Sequence, residues 1–166
     1  MIDRLLMVAG IVATLIVTGA TAVDMELTRA RGDQIYLKLA PVDPRSMIQG
    51  DFMRLRYDVG REASRAMGDA PDDGTLIVAL DGDNVASFAS FEDGRGLANG
   101  EHRLAYRVRD GRVDVGTNSW MFQEGTADVW NQAKYGEFRV LPTGRAVLVG
   151  LRDAQLQELG EPLRAW

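Results

Sequence analysis

The sequence predicts an α+β fold: an N-terminal transmembrane helix followed by one antiparallel β-rich domain of hairpins with two short helices. Three observations predict it. Residues 5–23, LLMVAGIVATLIVTGATAV, hold no charge; beyond them, apolar residues alternate with polar ones in short runs; and turn pairs such as Asp110-Gly111 separate those runs. At 166 residues, 46% hydrophobic and 26% charged, the chain has the length and composition of one folded domain. The predicted division is 1–25 for the anchor and 26–166 for the β-rich domain.

The uncharged run is bounded by Arg4 and Asp24, and as a helix it is long enough to cross a bilayer. A cleaved export signal is the competing reading, with Ala-Thr-Ala at 20–22 as its cleavage site, and a buried core helix is the third. A retained anchor is preferred because Asp3 offsets Arg4 and the run exceeds the apolar centre of a signal. With a short N-terminal head inside and no second span, the domain is expected in the periplasm, held on the bacterial inner membrane by residues 5–23. The net charge of −5 argues against a nucleic-acid partner.

Ile35, Leu37 and Leu39 alternate on one strand, which Pro41 and Pro44 end. After Gly50-Asp51 a second strand sets Met53, Leu55, Tyr57 and Val59 against Phe52, Arg54, Arg56 and Asp58. Residues 60–74 read as a surface loop, with a short helical turn as an option at REASRAMG, 61–68. TLIVAL, at 75–80, is continuously apolar and suits a strand covered on both faces; DGDN returns it into VASFASF. A two-residue turn at Asp110-Gly111 would place Arg109 opposite Arg112, Val108 opposite Val113 and Arg107 opposite Asp114. Arg103, Arg107 and Arg109 then share a face that reads as solvated rather than as an anion site. A helix is expected within 123–135, a third hairpin turns at 142–144, and Asp153 is placed to cap a last helix over 154–160.

The stretch DPRSMIQGDFMRLRY, residues 43–57, holds more polar detail than a strand entry requires. Gly50-Asp51-Phe52-Met53-Arg54-Leu55-Arg56-Tyr57 resembles the signature of the bacterial GDYXXLXY family, departing only at Phe52. PVDPRS before it, FQEG at 122–125 and AKYGEFRVLPTGRAVLVGL near the end extend the resemblance over Glu26 to Leu151. The resemblance implies a membrane-anchored bacterial protein, in some cases beside multi-pass membrane proteins, and implies no activity. It supports reading the chain as an interaction or accessory subunit of an inner-membrane assembly, with a multi-pass membrane protein as its partner.

Two readings of the motif stay open. In the structural one, Gly50 and Asp51 make and cap a turn while Leu55 and Tyr57 enter the core. In the other, Asp43, Arg45 and Asp51 gather as a recognition site with Tyr135, Glu137 and Arg139 alongside; a buried arginine–carboxylate pair would account for the same residues. Enzyme chemistry is weak. Ser46-Met47 followed by Gly50-Asp51 resembles the serine–lysine signal peptidases, but the proline is missing and Lys134 is the only lysine downstream, so a membrane-tethered hydrolase is the lesser alternative. No cofactor is expected. The chain has no cysteine and one histidine, His102, which shares strand parity with Leu104 and Tyr106; the acidic DAPDDG lacks a calcium-loop pattern.

Overall fold

The computed structural model describes residues 2–40, 48–49 and 52–160. In chain order it has α1 (Ile2–Arg31), β1 (Asp33–Lys38), β2 (Ile48–Gln49), β3 (Phe52–Arg54) and α2 (Asp58–Ala66). Then come β4 (Asp73–Leu80), β5 (Val85–Phe91), β6 (Glu101–Arg109), β7 (Arg112–Val115) and β8 (Ser119–Met121). The single turn α3 (Ala127–Trp130), β9 (Tyr135–Val140) and β10 (Ala146–Arg152) complete it. Seven strands form one sheet in the order β10-β9-β1-β5-β4-β6-β7, and β2, β3 and β8 form a second, small one.

Among the described residues no helix is long and apolar enough to cross a membrane. This corrects the expected transmembrane anchor over residues 5–23. The side chains of α1 that are described set Leu15, Ile16 and Val23 among Gly10, Thr14, Thr18 and Gly19, with charges at Glu26, Arg29 and Arg31. The Thr14 and Thr18 hydroxyls turn back to the carbonyls four residues before them, each at 2.9 Å. The helix continues past Met25, and its last turns pack on β9 and β10, where Thr28 is fully buried. The inner-membrane placement and the periplasmic orientation rested on that anchor and lose their support with it, and the multi-pass membrane partner, which the resemblance implied for an anchored protein, is likewise unsupported.

The remainder is an α+β fold whose main sheet is largely antiparallel. The central β4 is covered on both faces: Leu76 and Val78 enter the main core, while Ile77 points the other way and is also fully buried. Between β6 and β7, Arg109 pairs with Arg112, Val108 with Val113 and Arg107 with Asp114, the predicted register. One pairing departs from the expected run of hairpins: β1 lies parallel to β5, through Tyr36–Val85 and Leu37–Ala86. Parallel neighbours must be joined by a long excursion, so no local turn signal announces them.

The sheet curls until its ends approach. The tip of the β9–β10 hairpin reaches the part of β6 that β7 leaves uncovered, where the Ala105 amide donates to the Gly144 carbonyl at 2.8 Å. Gly144 is buried with φ +88°, and a Cβ there would lie 3.1 Å from the Ala105 nitrogen, so glycine permits the contact. Ile35, Leu37, Leu76, Val78, Leu104, Phe138 and Leu151 fill the concave side. His102 is half-buried beside Val78, its Nδ1 3.7 Å from Asp33 across the rim.

The helices differ from expectation for local reasons. The predicted loop from residue 60 is in fact α2, with Val59 and Ala63 inward at i,i+4 spacing. Its small residues let it sit against β7: a Cβ on Gly60 would fall 2.6 Å from the Val113 carbonyl oxygen, and the Val113 amide donates to Ser64 Oγ at 2.9 Å. The helix expected over 154–160 is absent. The Asp153 carboxylate accepts the amides of Gln155 and Gln157 at 2.8 and 2.9 Å, and Leu156 takes φ +59°, turning the chain back so that Glu158 bridges Arg152. A side chain that bonds nearby amides in a turn competes with the helix it was expected to start.

The loop between β5 and β6 is pinned by Arg95, which donates to both carboxylate oxygens of Glu101 at 2.8 Å, while the Ala98 amide adds a third bond at 2.8 Å. The Arg95 hydrogen bonds, then the Ala98 amide, hold the Glu101 carboxyl down at about 2. An unfolded glutamate titrates near about 4.3. The stabilisation is therefore fully present above that value and is lost as pH falls through about 2. A side-chain carboxyl NMR titration should find Glu101 still ionised at pH 3; an ordinary midpoint near about 4 would contradict the pinning.

Candidate functional site

A large cleft lies where the curled sheet stays open, between β6–β7 and β10, with the end of α1 beside it. It encloses about 1090 Å³. Its apolar lining comes from Trp120, Ala146, Val147 and Leu148, and four arginines line it as well: Arg29, Arg107, Arg109 and Arg145. Among the described lining residues the one carboxylate is Asp114. On a chain of net charge −5 this is a local reversal of sign.

Each component has a structural origin. Alternation along β6 sends Tyr106 into the core and leaves Arg107 and Arg109 exposed on the cleft side. Arg29 stands in the last turn of α1, 3.9 Å from an exposed Glu26, a pairing too open to neutralise it. Trp120 is held in β8 opposite Met53, with its ring 5.4 Å from that of Trp130. The indole N–H of Trp130 donates to Thr126 Oγ1 at 3.1 Å, whereas Nε1 of Trp120 is buried with no acceptor among the described residues. Buried donors are ordinarily matched, and the partner of this one is not among the described residues.

A second, smaller cleft of about 400 Å³ lies on the other side of the same ridge and shares Arg109, Asp114 and Asn118 with the first. Arg54 and Arg56, the polar positions of the motif strand, line it with Arg61 and Arg112. Arg61 is taken by Asp58 at 2.8 Å. The arginine-bearing face that read as plainly solvated is thus divided. Arg103 pairs with Glu92 at 2.6 Å, while Arg107 and Arg109 line a cleft.

A model of the GDYXXLXY protein family matches residues 14–151. The chain belongs to the GDYXXLXY family. The match begins inside α1 and runs to β10, so it takes in both clefts. No curated protein and no solved structure matches the chain.

Of the GDYXXLXY residues singled out in the sequence, Asp43, Arg45, Gly50 and Asp51 lie outside the described residues, as does Ser46. Leu55 and Tyr57 are core residues; the Tyr57 hydroxyl donates to the Thr117 carbonyl at 2.9 Å, and the Leu55 amide donates to that of Asn118 at 2.8 Å. Both bonds fix the 116–118 segment that lines the large cleft. Tyr135, Glu137 and Arg139 follow one another on one face of β9. Glu137 is buried, accepting from Arg152 Nε at 2.7 Å and also from its Nη2, and from Gln34 Nε2 at 2.7 Å. Tyr135 and Arg139 are half-buried beside it.

Lys134 is exposed, with only its backbone engaged, to Arg152 and Leu39. A lysine general base must be desolvated to be neutral at its serine, so the hydrolase alternative has no support. Among the described residues no cluster of carboxylates and histidine is placed to hold a metal. Sequence reasoning missed Trp120 and the β10 edge as site residues. The available signal was the repeated arginine at alternate positions, 54 and 56 on one strand and 107 and 109 on another.

Proposed function

We propose that this protein is a binding protein for an anionic ligand with an apolar side, taken in the cleft between β6–β7 and β10. The observation that carries it is the cleft's composition: an apolar lining with arginines, on a chain that is otherwise acidic. Arginine rims attract and orient carboxylate or phosphate, and apolar walls supply affinity once water is displaced. Within this reading Leu55, Tyr57 and Glu137 are structural: they build and brace the cleft and do not touch its contents.

The reading is tested by titrating purified full-length protein with two carboxylate probes, decanoate and a blocked hexapeptide of alternating glutamate and valine. At least one should bind, more weakly as salt rises, and the Arg107→Glu/Arg109→Glu variant should lose about tenfold or more in affinity. Both positions are exposed, so the variant should keep its unfolding midpoint. Binding of neither probe, or equal binding by the variant, would overturn the reading.

A further inference from the structure

The cleft has a feature that a site for a small anion does not require. One of its walls is the edge of a sheet: β10 ends the strand order and pairs only with β9. Its C-terminal half is covered by the chain itself, since Leu159 N–H donates to the Leu151 carbonyl at 3.0 Å and Glu158 bridges Arg152. Its N-terminal half, Ala146 to Val149, makes no backbone bond on the side away from β9 among the described residues. These four residues, Ala-Val-Leu-Val, carry no charge and no proline, and the last of them, Val149, is the extra residue of a bulge between Leu148 and Gly150. Exposed edges are ordinarily blunted by lysine, proline or a covering segment. Among the described residues, lysine, proline and a backbone-paired covering segment are absent from Ala146–Leu148, where the cleft opens, and the bulge at Val149 bounds this free stretch.

The geometry points to an acidic polypeptide segment, in extended form, as the ligand: it adds as a strand to β10 at Ala146–Val149. This rests on the anion-binding reading above and names the ligand class. An added strand lies about 4.8 Å from β10, and its successive side chains alternate between the two faces. One set of side chains meets Leu148 and Trp120, and the other meets the arginines on the rims, which selects alternating apolar and carboxylate residues. Backbone pairing supplies affinity that is independent of side chains, and the arginines supply the sign of the charge.

The test uses full-length protein and the glutamate–valine hexapeptide in three forms: unmodified, N-methylated at the alternate amides that would face β10, and with glutamine in place of glutamate. Tight binding is expected for the unmodified peptide alone, with about tenfold or greater loss for each of the other two. Amide exchange of Ala146 and Leu148, whose N–H groups face away from β9, should slow on binding. The inference is overturned, with the anion-binding reading left standing, if decanoate binds and the peptide does not, or if N-methylation of the amides that would face β10 leaves affinity and exchange unchanged. If neither decanoate nor the peptide binds, both fail together. If the glutamine peptide binds as well as the glutamate one, the edge accepts strands without charge selection, and the acidic ligand class is wrong.

Discussion

Replacing Glu137 by alanine is expected to destabilise the protein by about 3–5 kcal/mol, the usual cost of removing one member of a buried ion pair. The carboxylate is buried on β9, and three hydrogen bonds converge on it: two from Arg152 on β10 and one from Gln34 on β1, whose amide nitrogen also lies 2.8 Å from the Tyr36 hydroxyl. It therefore ties three adjacent strands. Burial by itself would lower the Arg152 pKa, but the hydrogen bonds and charge of Glu137 prevail and raise it. Without the carboxylate the largely buried guanidinium keeps, among the described residues, the ion pair with Glu158, at 3.7 Å and exposed. Glu137→Leu combined with Arg152→Met should recover much of the loss, because an apolar pair leaves no charge stranded. Denaturant unfolding of the three variants decides it. A loss under about 1 kcal/mol for Glu137→Ala would mean that water solvates Arg152 as well as the carboxylate does.

That pair shows how far the sequence could be read. A buried arginine–carboxylate pair was one of the readings open for the polar residues around the motif, and Glu137 was among them; its partner Arg152 was not. Local patterns carried the hairpins well, because alternation and a turn pair determine register between neighbours: the β6–β7 pairing follows from Asp110-Gly111, where Asp110 takes φ +51° and Gly111 φ +70°. They did not carry the parallel β1–β5 pair or the closure at Gly144, which depend on residues far apart in the chain. At α2 the alternation through Val59 suggested a longer strand, whereas the 3.6-residue spacing of Val59, Ala63 and Met67 was the signal that prevailed. The cleft was illegible for a related reason. Its arginines sit on β6 and on α1, its indole on β8 and its apolar edge on β10, and only the curl of the sheet sets them around one space. The membrane reading failed differently: it weighed an uncharged run by its length, and among the described residues no helix is long and apolar enough to cross a membrane.

Tyr57→Ala is expected to cost about 3–5 kcal/mol, as deletion of a large buried aromatic does. The ring is 5% exposed, meets Phe138 edge-on with centroids 5.3 Å apart, and is buried deeply enough to push the phenol's pKa up. Its backbone bridges Leu39 and its carbonyl accepts the Arg61 amide as α2 begins, so the last tyrosine of the family motif stands where the first strand, the motif and the helix meet. Tyr57→Phe separates packing from the hydrogen bond. It keeps the ring and removes the donor to the Thr117 carbonyl, for a loss of about 1 kcal/mol. Because that bond steadies the 116–118 wall of the large cleft, the phenylalanine variant should also bind the glutamate–valine peptide more weakly than its small stability loss accounts for, at a temperature where it is fully folded. Unfolding curves for both variants, with peptide titrations of Tyr57→Phe, make the comparison. If Tyr57→Ala costs less than about 1.5 kcal/mol, the residue is not the core anchor that its burial implies. If Tyr57→Phe leaves peptide affinity untouched, the motif serves the fold without shaping the cleft, and the link from the family signature to ligand binding is broken.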